Sequence, residues 1–280
     1  TFLVTEIGCG IAGFKPCDIA PLFYSAIERD ISNIFLPVSF YSFSPPPDTF
    51  PRQTGIYPQD PTFREALEAG VTAVVTGPGS ANPVAGQMVA IKTYGSCVDD
   101  MVIKAPVAMK FALGENPKNT YHSKDETPST RMATAAIIRE QLKKAQKYQR
   151  DLLAAEEDEE TDEPEIDVKS EALVEVVDKS IQSHFHAHRS DDIFTAIRIA
   201  KEYDLDLVLI HCTEGHLNAE KLAAEKAKAV VGPIICTRTK PELSNEIDEN
   251  AAILKKAGNF FAHFHHKIGV YLMVKKRANL

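Results

Sequence analysis

Histidines concentrate in the C-terminal part of the chain, and their spacing is typical of metal ligands. Eight of the nine histidines follow residue 180, and three of them alternate in the run His184-Phe185-His186-Ala187-His188. Because strand residues two positions apart point to the same face, we predict that these three imidazoles project together. The alternative is that they are ordinary buried histidines whose rings are satisfied by the backbone.

A further histidine ends the next predicted strand. His211 follows the apolar run 207–210, and the loop after it, Cys212-Thr213-Glu214-Gly215-His216, adds a carboxylate and another imidazole. Parallel α/β sheets place their sites where the strands end. Imidazole nitrogens held about 2 Å from the ion suit a borderline divalent metal such as zinc. The spacing therefore predicts a metal site, with zinc as the expected cofactor.

Strands that alternate with helices must position these residues. Strands are predicted at 183–188, 206–211 and 229–235, and helices at 191–203, 220–227 and 250–257, which favours parallel βαβ units. Earlier in the chain, a helix is predicted from Pro61 to the glycine stop at Gly70, followed by a strand at 71–76. Short strands are predicted at 102–104 and 108–113, and a long helix at 132–155.

Residues 57–258 resemble the amidohydrolase superfamily, specifically the imidazolonepropionase-like metal-dependent hydrolases. The resemblance is carried by the run from Phe63 to Pro83, the run from Ala108 to Pro117, and two histidine motifs, His186-Ala187-His188-Arg189 and His211-Cys212-Thr213-Glu214-Gly215-His216. It implies a (β/α)8 barrel that hydrolyses a C–N bond of an amide or cyclic amide. One or two divalent metals activate a water molecule in such enzymes.

The resemblance also implies a set of site residues. His186 and His211 match the metal-binding histidines that end the fifth and sixth strands. Lys110 resembles the carboxylated lysine that bridges two metals in some relatives, and Glu115 could serve as the glutamate that others use, so both remain open as ligands. Candidate residues for substrate binding or ligand support are His188, Arg189, Glu214, His216 and Gln87.

Two parts of the family pattern are missing from the sequence. Residues 1–55 contain no histidine, so the first-strand His-x-His is absent, and residues 258–266 contain no aspartate for the eighth strand. His263 and His265 are candidate replacement ligands, because their spacing mimics the lost pair. Without the aspartate, which would be the proton shuttle, the sequence identifies no catalytic residue.

The fold class that follows is α/β, with an incomplete or altered (β/α)8 barrel. Four segments are expected: a β-turn-α-β segment of other origin at 1–44, a proline-rich linker at 45–55, the barrel core at 56–258, and an atypical β segment at 259–280. Besides hydrolysis, two functions remain open. The chain could be a non-catalytic barrel remnant that binds or supports a partner, or a nucleotide-phosphate binder that uses the glycine-rich turn at 8–13.

Composition limits the partners. The chain has 280 residues and a formal net charge of −8, which argues against a general nucleic-acid binder. The sequence has no apolar run of about 18 residues and no signal peptide at its start, so no membrane partner and a cytoplasmic location are expected. The five scattered cysteines fit that compartment. The expected partner is a small-molecule amide substrate, and an unclosed barrel would favour a homo-oligomer through its exposed sheet edges.

Overall fold

The computed structural model describes residues 55–158, 160–233 and 240–259 with their side chains, and the backbone of strands at 2–3, 34–35, 260–265 and 270–272. The chain divides into two compact units. The first contains residues 1–74, 89–105 and 275–280, and the second contains residues 75–88 and 106–274. All the side chains of the candidate site described below belong to the second unit.

The secondary-structure elements alternate along most of the described chain. The strands are β1 (Phe2–Leu3), β2 (Ile34–Phe35), β3 (Ala73–Thr76), β4 (Val84–Lys92), β5 (Val102–Ala112), β6 (Gln182–Ala187), β7 (Leu207–His211), β8 (Lys228–Val231), β9 (Phe260–His265) and β10 (Val270–Leu272). The helices are α1 (Pro61–Glu68), α2 (Val98–Met101), α3 (Glu115–His122), α4 (Arg131–Glu157), α5 (Val168–Val177), α6 (Ser190–Glu202), α7 (Ala219–Ala224) and α8 (Asn250–Lys256). Two 3-10 helices span Gly215–Asn218 and Pro241–Leu243.

Local signals in the sequence set the ends of helix α1. The Asp60 carboxylate accepts a hydrogen bond from the backbone N–H of Thr62 at 2.9 Å, and Pro61 occupies the first helical position, where its missing N–H has no consequence. Gly70, with φ of 83°, follows the last turn in a left-handed conformation. The predicted start and stop of this helix are therefore confirmed.

The second unit contains a curled sheet of six strands, β5 to β10. Strands β5, β6, β7, β8 and β9 pair in parallel, which confirms the predicted parallel βαβ units, whereas β10 runs antiparallel to β9. The strand order continues β10-β3-β4-β5 and so closes, with Tyr271 of β10 opposite Val75 of β3. All strands of a (β/α)8 barrel are parallel, so this sheet departs from that pattern at β10.

The two faces of the sheet bury different side chains. The inner face carries a small apolar cluster that includes Met88, Val208 and Ile210. On the outer face, the rings of Phe111 and Phe185 stack with centroids 4.6 Å apart, within a larger core to which helices α4, α5 and α6 contribute. This division places alternate residues of β5 and β6 toward the inside of the curled sheet, where the candidate site lies.

The N-terminal segment is described only at two strands. β1 and β2 pair in parallel, with Phe2 opposite Ile34 and Leu3 opposite Phe35. The glycine-rich turn at 8–13 and the proline-rich linker up to residue 54 lie outside the described residues. Within the part of the chain that is described, none of the helices combines the length and the apolarity needed to cross a bilayer.

Candidate metal centre

Three histidine side chains converge at the ends of β6 and β7. His186 lies on β6, His188 follows that strand directly, and His211 is the last residue of β7. One ring nitrogen from each lies within 4.8 Å of the other two, and all three residues are buried. The ring centroids are 4.5 to 4.6 Å apart in every pair. These residues could therefore bind one metal ion.

His184 does not belong to this cluster. His184 shares the inner face of the sheet with His186, as predicted, but only His186 and His188 of that run enter the cluster, and His211 provides the third ring. His184 lies two residues before His186 on β6, further from the end of the strand. Its Nε2 is 3.2 Å from the Oε1 of Gln182. Burial lowers the pKa of His184 to about 3, and the nearby charge of Lys110 contributes to the shift.

His211 reaches the cluster because the chain turns sharply after β7. In the strand register His211 lies opposite Ala187, whose side chain belongs to the outer core, so regular alternation would point the imidazole away from His186. Instead His211 and Cys212 have φ values of 73° and 47°. Left-handed conformations at non-glycine residues are unfavourable and tend to occur at functional sites, where the surrounding structure maintains them.

Hydrogen bonds orient two of the rings. The Nδ1 of His211 lies 2.7 Å from the carbonyl oxygen of Gly232, and because a carbonyl only accepts, Nδ1 carries the proton. His188 places its Nδ1 2.8 Å from the Oγ1 of Thr213. Partners of this kind fix the orientation and tautomer of metal-binding histidines.

His186 is oriented from both sides of its ring. Its Nδ1 lies 2.9 Å from the Oγ of Ser80, and its Nε2 lies 3.4 Å from the Nδ2 of Asn116. The Oδ1 of Asn116 accepts a hydrogen bond from the Lys240 ammonium group at 2.8 Å, so the amide nitrogen must be the atom that faces His186. Since that nitrogen can only donate, the Nε2 of His186 carries a lone pair rather than a proton.

The imidazoles of His186 and His188 are held in the neutral form. Burial lowers the pKa of both rings far below the usual range, and the neighbouring His211 lowers them further. The Nε2 of His188 is buried and has no hydrogen-bond partner. Neutral imidazole is the form that binds metals, so a set of buried nitrogen donors with one orphaned atom fits a divalent ion.

An acidic side chain that the sequence did not suggest lies beside the cluster. Glu242 is 1% exposed, and its Oε1 lies 3.6 Å from the Nε2 of His188 and 4.0 Å from the Nε2 of His186. The Lys240 ammonium group donates to the same oxygen at 3.2 Å. Glu242 lies in a 3-10 helix remote in sequence from both histidine motifs, and no local pattern marks it.

A second buried carboxylate supports this region. Asp192 accepts a hydrogen bond from the Nε of Arg131 at 3.0 Å, and the Nη2 of Arg131 lies 3.9 Å from the Oε2 of Glu242. Burial raises the pKa of Asp192, and Arg131 opposes that shift. Gly114, with φ of 83°, passes so close that a Cβ there would lie 2.9 Å from Glu242 and 3.0 Å from Asp192.

The two predicted bridging ligands have different surroundings. Lys110 is 4% exposed and lies opposite His184, while Ala112 lies opposite His186, so Lys110 is on the inner face two residues, or roughly 7 Å, further from the strand end. Burial lowers its pKa to about 8. The Glu115 carboxylate accepts a hydrogen bond from Asn119 at 3.2 Å, and its backbone N–H donates to Glu242 at 3.0 Å.

Glu214 and Arg189, two residues predicted to bind substrate, form contacts with other side chains and with the backbone of this chain. Glu214 is buried and accepts hydrogen bonds from the backbone N–H of Ser190 at 2.6 Å and from Asn245 at 2.8 Å. Arg189 forms an ion pair with Asp191 at the surface. Glu214 therefore connects the loop after β7 to the start of helix α6.

The remaining predicted site residues are His216, Gln87, His263 and His265. The Nδ1 of His216 lies 3.2 Å from the carbonyl oxygen of Thr213, and Gln87 donates a hydrogen bond to Glu175 at 2.8 Å. In the strand register His263 of β9 lies opposite Val231 of β8, and Val231 in turn lies opposite His211 of β7. The side chains of His263 and His265 lie outside the described residues.

Comparison with known proteins gives one solved structure. No protein-family model matches the chain, and no curated protein matches it. The crystal structure of an amidohydrolase from Thermotoga maritima MSB8 is similar to this chain, with a TM-score of 0.74 and 42% sequence identity. The similarity covers 77% of this chain and 56% of that protein, so the chain spans a little over half of the relative's length.

Proposed function

Because the chain belongs to the amidohydrolase superfamily, we propose that it is a metal-dependent hydrolase that cleaves a C–N bond of an amide or cyclic amide with metal-activated water. The observation that carries the proposal is the cluster of His186, His188 and His211, with its buried rings and the orphaned Nε2 of His188. On this proposal the curled sheet is an altered (β/α)8 barrel, and the antiparallel strand β10 occupies the position of a parallel strand.

We assign His186 and His211 as metal ligands and extend the set to His188. A divalent metal such as zinc, when bound, lowers the pKa of a water molecule toward about 7 and polarises the amide carbonyl. Thr213 and the Gly232 carbonyl hold the imidazoles in orientation, and their burial keeps bulk water away. Each of these contributions belongs to the protein and is in place before substrate arrives.

The other proposed ligands follow from position. Lys110 is favoured over Glu115 as a bridging group because Lys110 is buried on the inner face, whereas the Glu115 carboxylate bonds Asn119. His263 remains a proposed ligand because Val231 of β8 lies opposite both His211 of β7 and His263 of β9 in the strand register. His265 also remains a proposed ligand, because it lies two residues after His263 in the sequence.

The half-buried ammonium group of Lys240 suits the substrate side of the site. It is held by Asn116 at 2.8 Å and by Glu242 at 3.2 Å, close to the imidazole cluster. A fixed positive charge there favours a substrate with a carboxylate or a polarised carbonyl. N-acyl amino acids, dipeptides and cyclic imidazolones share those groups. The proposal includes no nucleic-acid or membrane partner.

Metal content and amide hydrolysis test the proposal together. The metal-free chain is loaded with zinc, and the bound metal is measured by elemental analysis. Hydrolysis of an N-acyl amino acid, a dipeptide and an imidazolone is then followed by product release. We expect at least one zinc per chain, lost in His186→Ala and in His211→Ala and retained in the control His122→Ala, whose side chain is exposed.

The outcomes separate the candidate functions. A wild-type chain that retains no zinc overturns the proposal. A chain that retains zinc in the expected manner but hydrolyses none of the three substrates favours the non-catalytic binding protein. Size-exclusion chromatography of the same samples tests the expected homo-oligomer.

A further inference from the structure

The carboxylate of Glu242 lies close to the histidine cluster without reaching hydrogen-bond distance of the two nearest ring nitrogens. Its Oε1 lies 3.6 Å from the Nε2 of His188 and 4.0 Å from the Nε2 of His186. Both separations exceed the 2.7–3.2 Å of an ordinary hydrogen bond.

One buried ring nitrogen beside the carboxylate has no hydrogen-bond partner. The Nε2 of His186 faces an amide N–H of Asn116, so it presents a lone pair rather than a proton. The Nε2 of His188 is buried without a partner. A buried polar atom without a hydrogen-bond partner is unfavourable. A metal ion bound by the Nε2 of His188 and the Glu242 carboxylate would provide the missing partner.

The spacing of the Glu242 carboxylate from two of the rings also suits metal ligation. Ligands bound at about 2.0–2.1 Å around a tetrahedral zinc ion are separated from one another by roughly 3.3 Å. The distances from Glu242 to the two rings are slightly longer, which small side-chain rotations can correct. The three rings are likewise within 4.8 Å of one another.

Glu242 is positioned by groups that leave one oxygen directed at the cluster. Its Oε2 accepts a hydrogen bond from the backbone N–H of Glu115 at 3.0 Å and faces the Arg131 guanidinium group at 3.9 Å. Its Oε1 has one donor, the Lys240 ammonium group. A carboxylate oxygen accepts more than one interaction, so this oxygen has capacity for a metal.

We propose that Glu242 is a metal ligand, and that its Oε1 joins His186, His188 and His211 in a site of three imidazoles and one carboxylate. The inference rests on the proposed function, because it concerns the same metal. It also supplies an acidic ligand in a chain whose residues 258–266 contain no aspartate. The carboxylate comes from the 3-10 helix that follows β8.

Cobalt binding provides a test that does not depend on activity. Co²⁺ replaces zinc in such sites, and its visible absorption spectrum reports the type and number of ligands. The affinity of the metal-free chain for Co²⁺ is measured by calorimetry, and the spectrum is recorded for wild type and Glu242→Gln. The matched control is Glu246→Gln, which makes the same change at another buried glutamate four residues later.

We expect Glu242→Gln to lower the affinity for Co²⁺ by at least roughly 100-fold, the upper end of the effect of losing an outer partner of a ligand. Its visible spectrum should differ from that of wild type, and Glu246→Gln should match wild type in both measurements. Equal affinity and an equal spectrum for Glu242→Gln would overturn the assignment while leaving the proposed function intact. A wild-type chain that binds no Co²⁺ would instead refute the proposed function.

A second variant covers the possibility that Glu242→Gln does not fold. Glu242→Asp keeps the negative charge beside Arg131 and Lys240 but withdraws the carboxylate by one C–C bond, about 1.5 Å. We expect its circular dichroism to match wild type and its affinity for Co²⁺ to fall at least tenfold. A folded Glu242→Asp chain with wild-type affinity and spectrum would show that Glu242 has only a structural role.

Discussion

Replacement of Gly114 by alanine tests how tightly the buried carboxylates are packed. Gly114 precedes helix α3 with φ of 83° and ψ of −145°, a conformation that is essentially restricted to glycine. An added Cβ would lie 2.9 Å from the Oε2 of Glu242 and 3.0 Å from the Oδ2 of Asp192. Both carboxylates are buried and held by Arg131, so neither can move freely.

The expected loss of stability combines two effects. Backbone strain at such a position is about 1–3 kcal/mol, and overpacking of a tightly filled site adds about 1–3 kcal/mol. The control is Gly70→Ala, because Gly70 has the same φ of 83° but nothing within 4 Å of an added Cβ. That change should lower the free energy of unfolding by about 1–2 kcal/mol, the ordinary penalty of a left-handed residue.

Urea denaturation of the metal-free chain measures the difference between the two variants. We expect Gly114→Ala to be less stable than Gly70→Ala by about 1–3 kcal/mol, the cost of the overpacking. The effect of Gly114→Ala should be smaller in a Glu242→Ala background, because the smaller side chain leaves room for the added methyl group. Equal losses in the two glycine variants, or no change in the Glu242→Ala background, would refute the proposed crowding.

Three further predictions concern the site and the core. Thr213→Val removes the hydrogen bond to His188 and should lower zinc affinity roughly 10- to 100-fold by calorimetry; an unchanged affinity would contradict this. Burial raises the pKa of Cys212 to about 12, so iodoacetamide at pH 8 should label exposed Cys97 and spare Cys212 unless the chain is unfolded; mass mapping that shows equal labelling would disprove it. Leu142→Ala should lower the unfolding free energy by about 2–5 kcal/mol in urea, and a loss below about 1 kcal/mol would contradict full burial.

Elements defined by local chemistry could be predicted from the sequence. The ends of α1 follow from Asp60, Pro61 and Gly70, which act within a few residues of one another. The alternation of His186 with His188 likewise places both rings on one face of β6. Such features need no knowledge of the rest of the chain, because the determining contacts are local.

Strand β5 shows where local signals are insufficient. Two short strands were predicted on either side of Pro106, whereas the structure has one strand, Val102–Ala112. Proline readily adopts an extended backbone conformation and removes only one hydrogen-bond donor. Pairing along the rest of β5 can therefore stabilise the strand despite Pro106. Strand β4, which contains Gly86 with φ of 135°, was not predicted at all. Pairing with neighbours distant in sequence determines both strands.

The site was predictable only in part for the same reason. The positions of His186 and His211 at strand ends follow from the sequence pattern, but the left-handed turn that redirects the His211 ring does not. Glu242 approaches His188 through tertiary packing, across a sequence separation that no periodicity spans. Local spacing indicates which residues can bind a metal, whereas the fold determines which of them meet.

The antiparallel strand β10 also bears on how the chain folds. Tyr271 and Val75 form the pair that joins β10 to β3, and they are about 200 residues apart in the chain. Contacts between such distant residues carry a large loop-closure entropy and form slowly, whereas β6, β7, β8 and β9 follow one another closely in the chain. The seam between β3 and β10 should therefore assemble last and open first, with its amide protons exchanging before those of the parallel strands. The clustered histidines at the ends of β6 and β7 lie on the early-forming part of the sheet, so the candidate metal site can assemble before the ring closes.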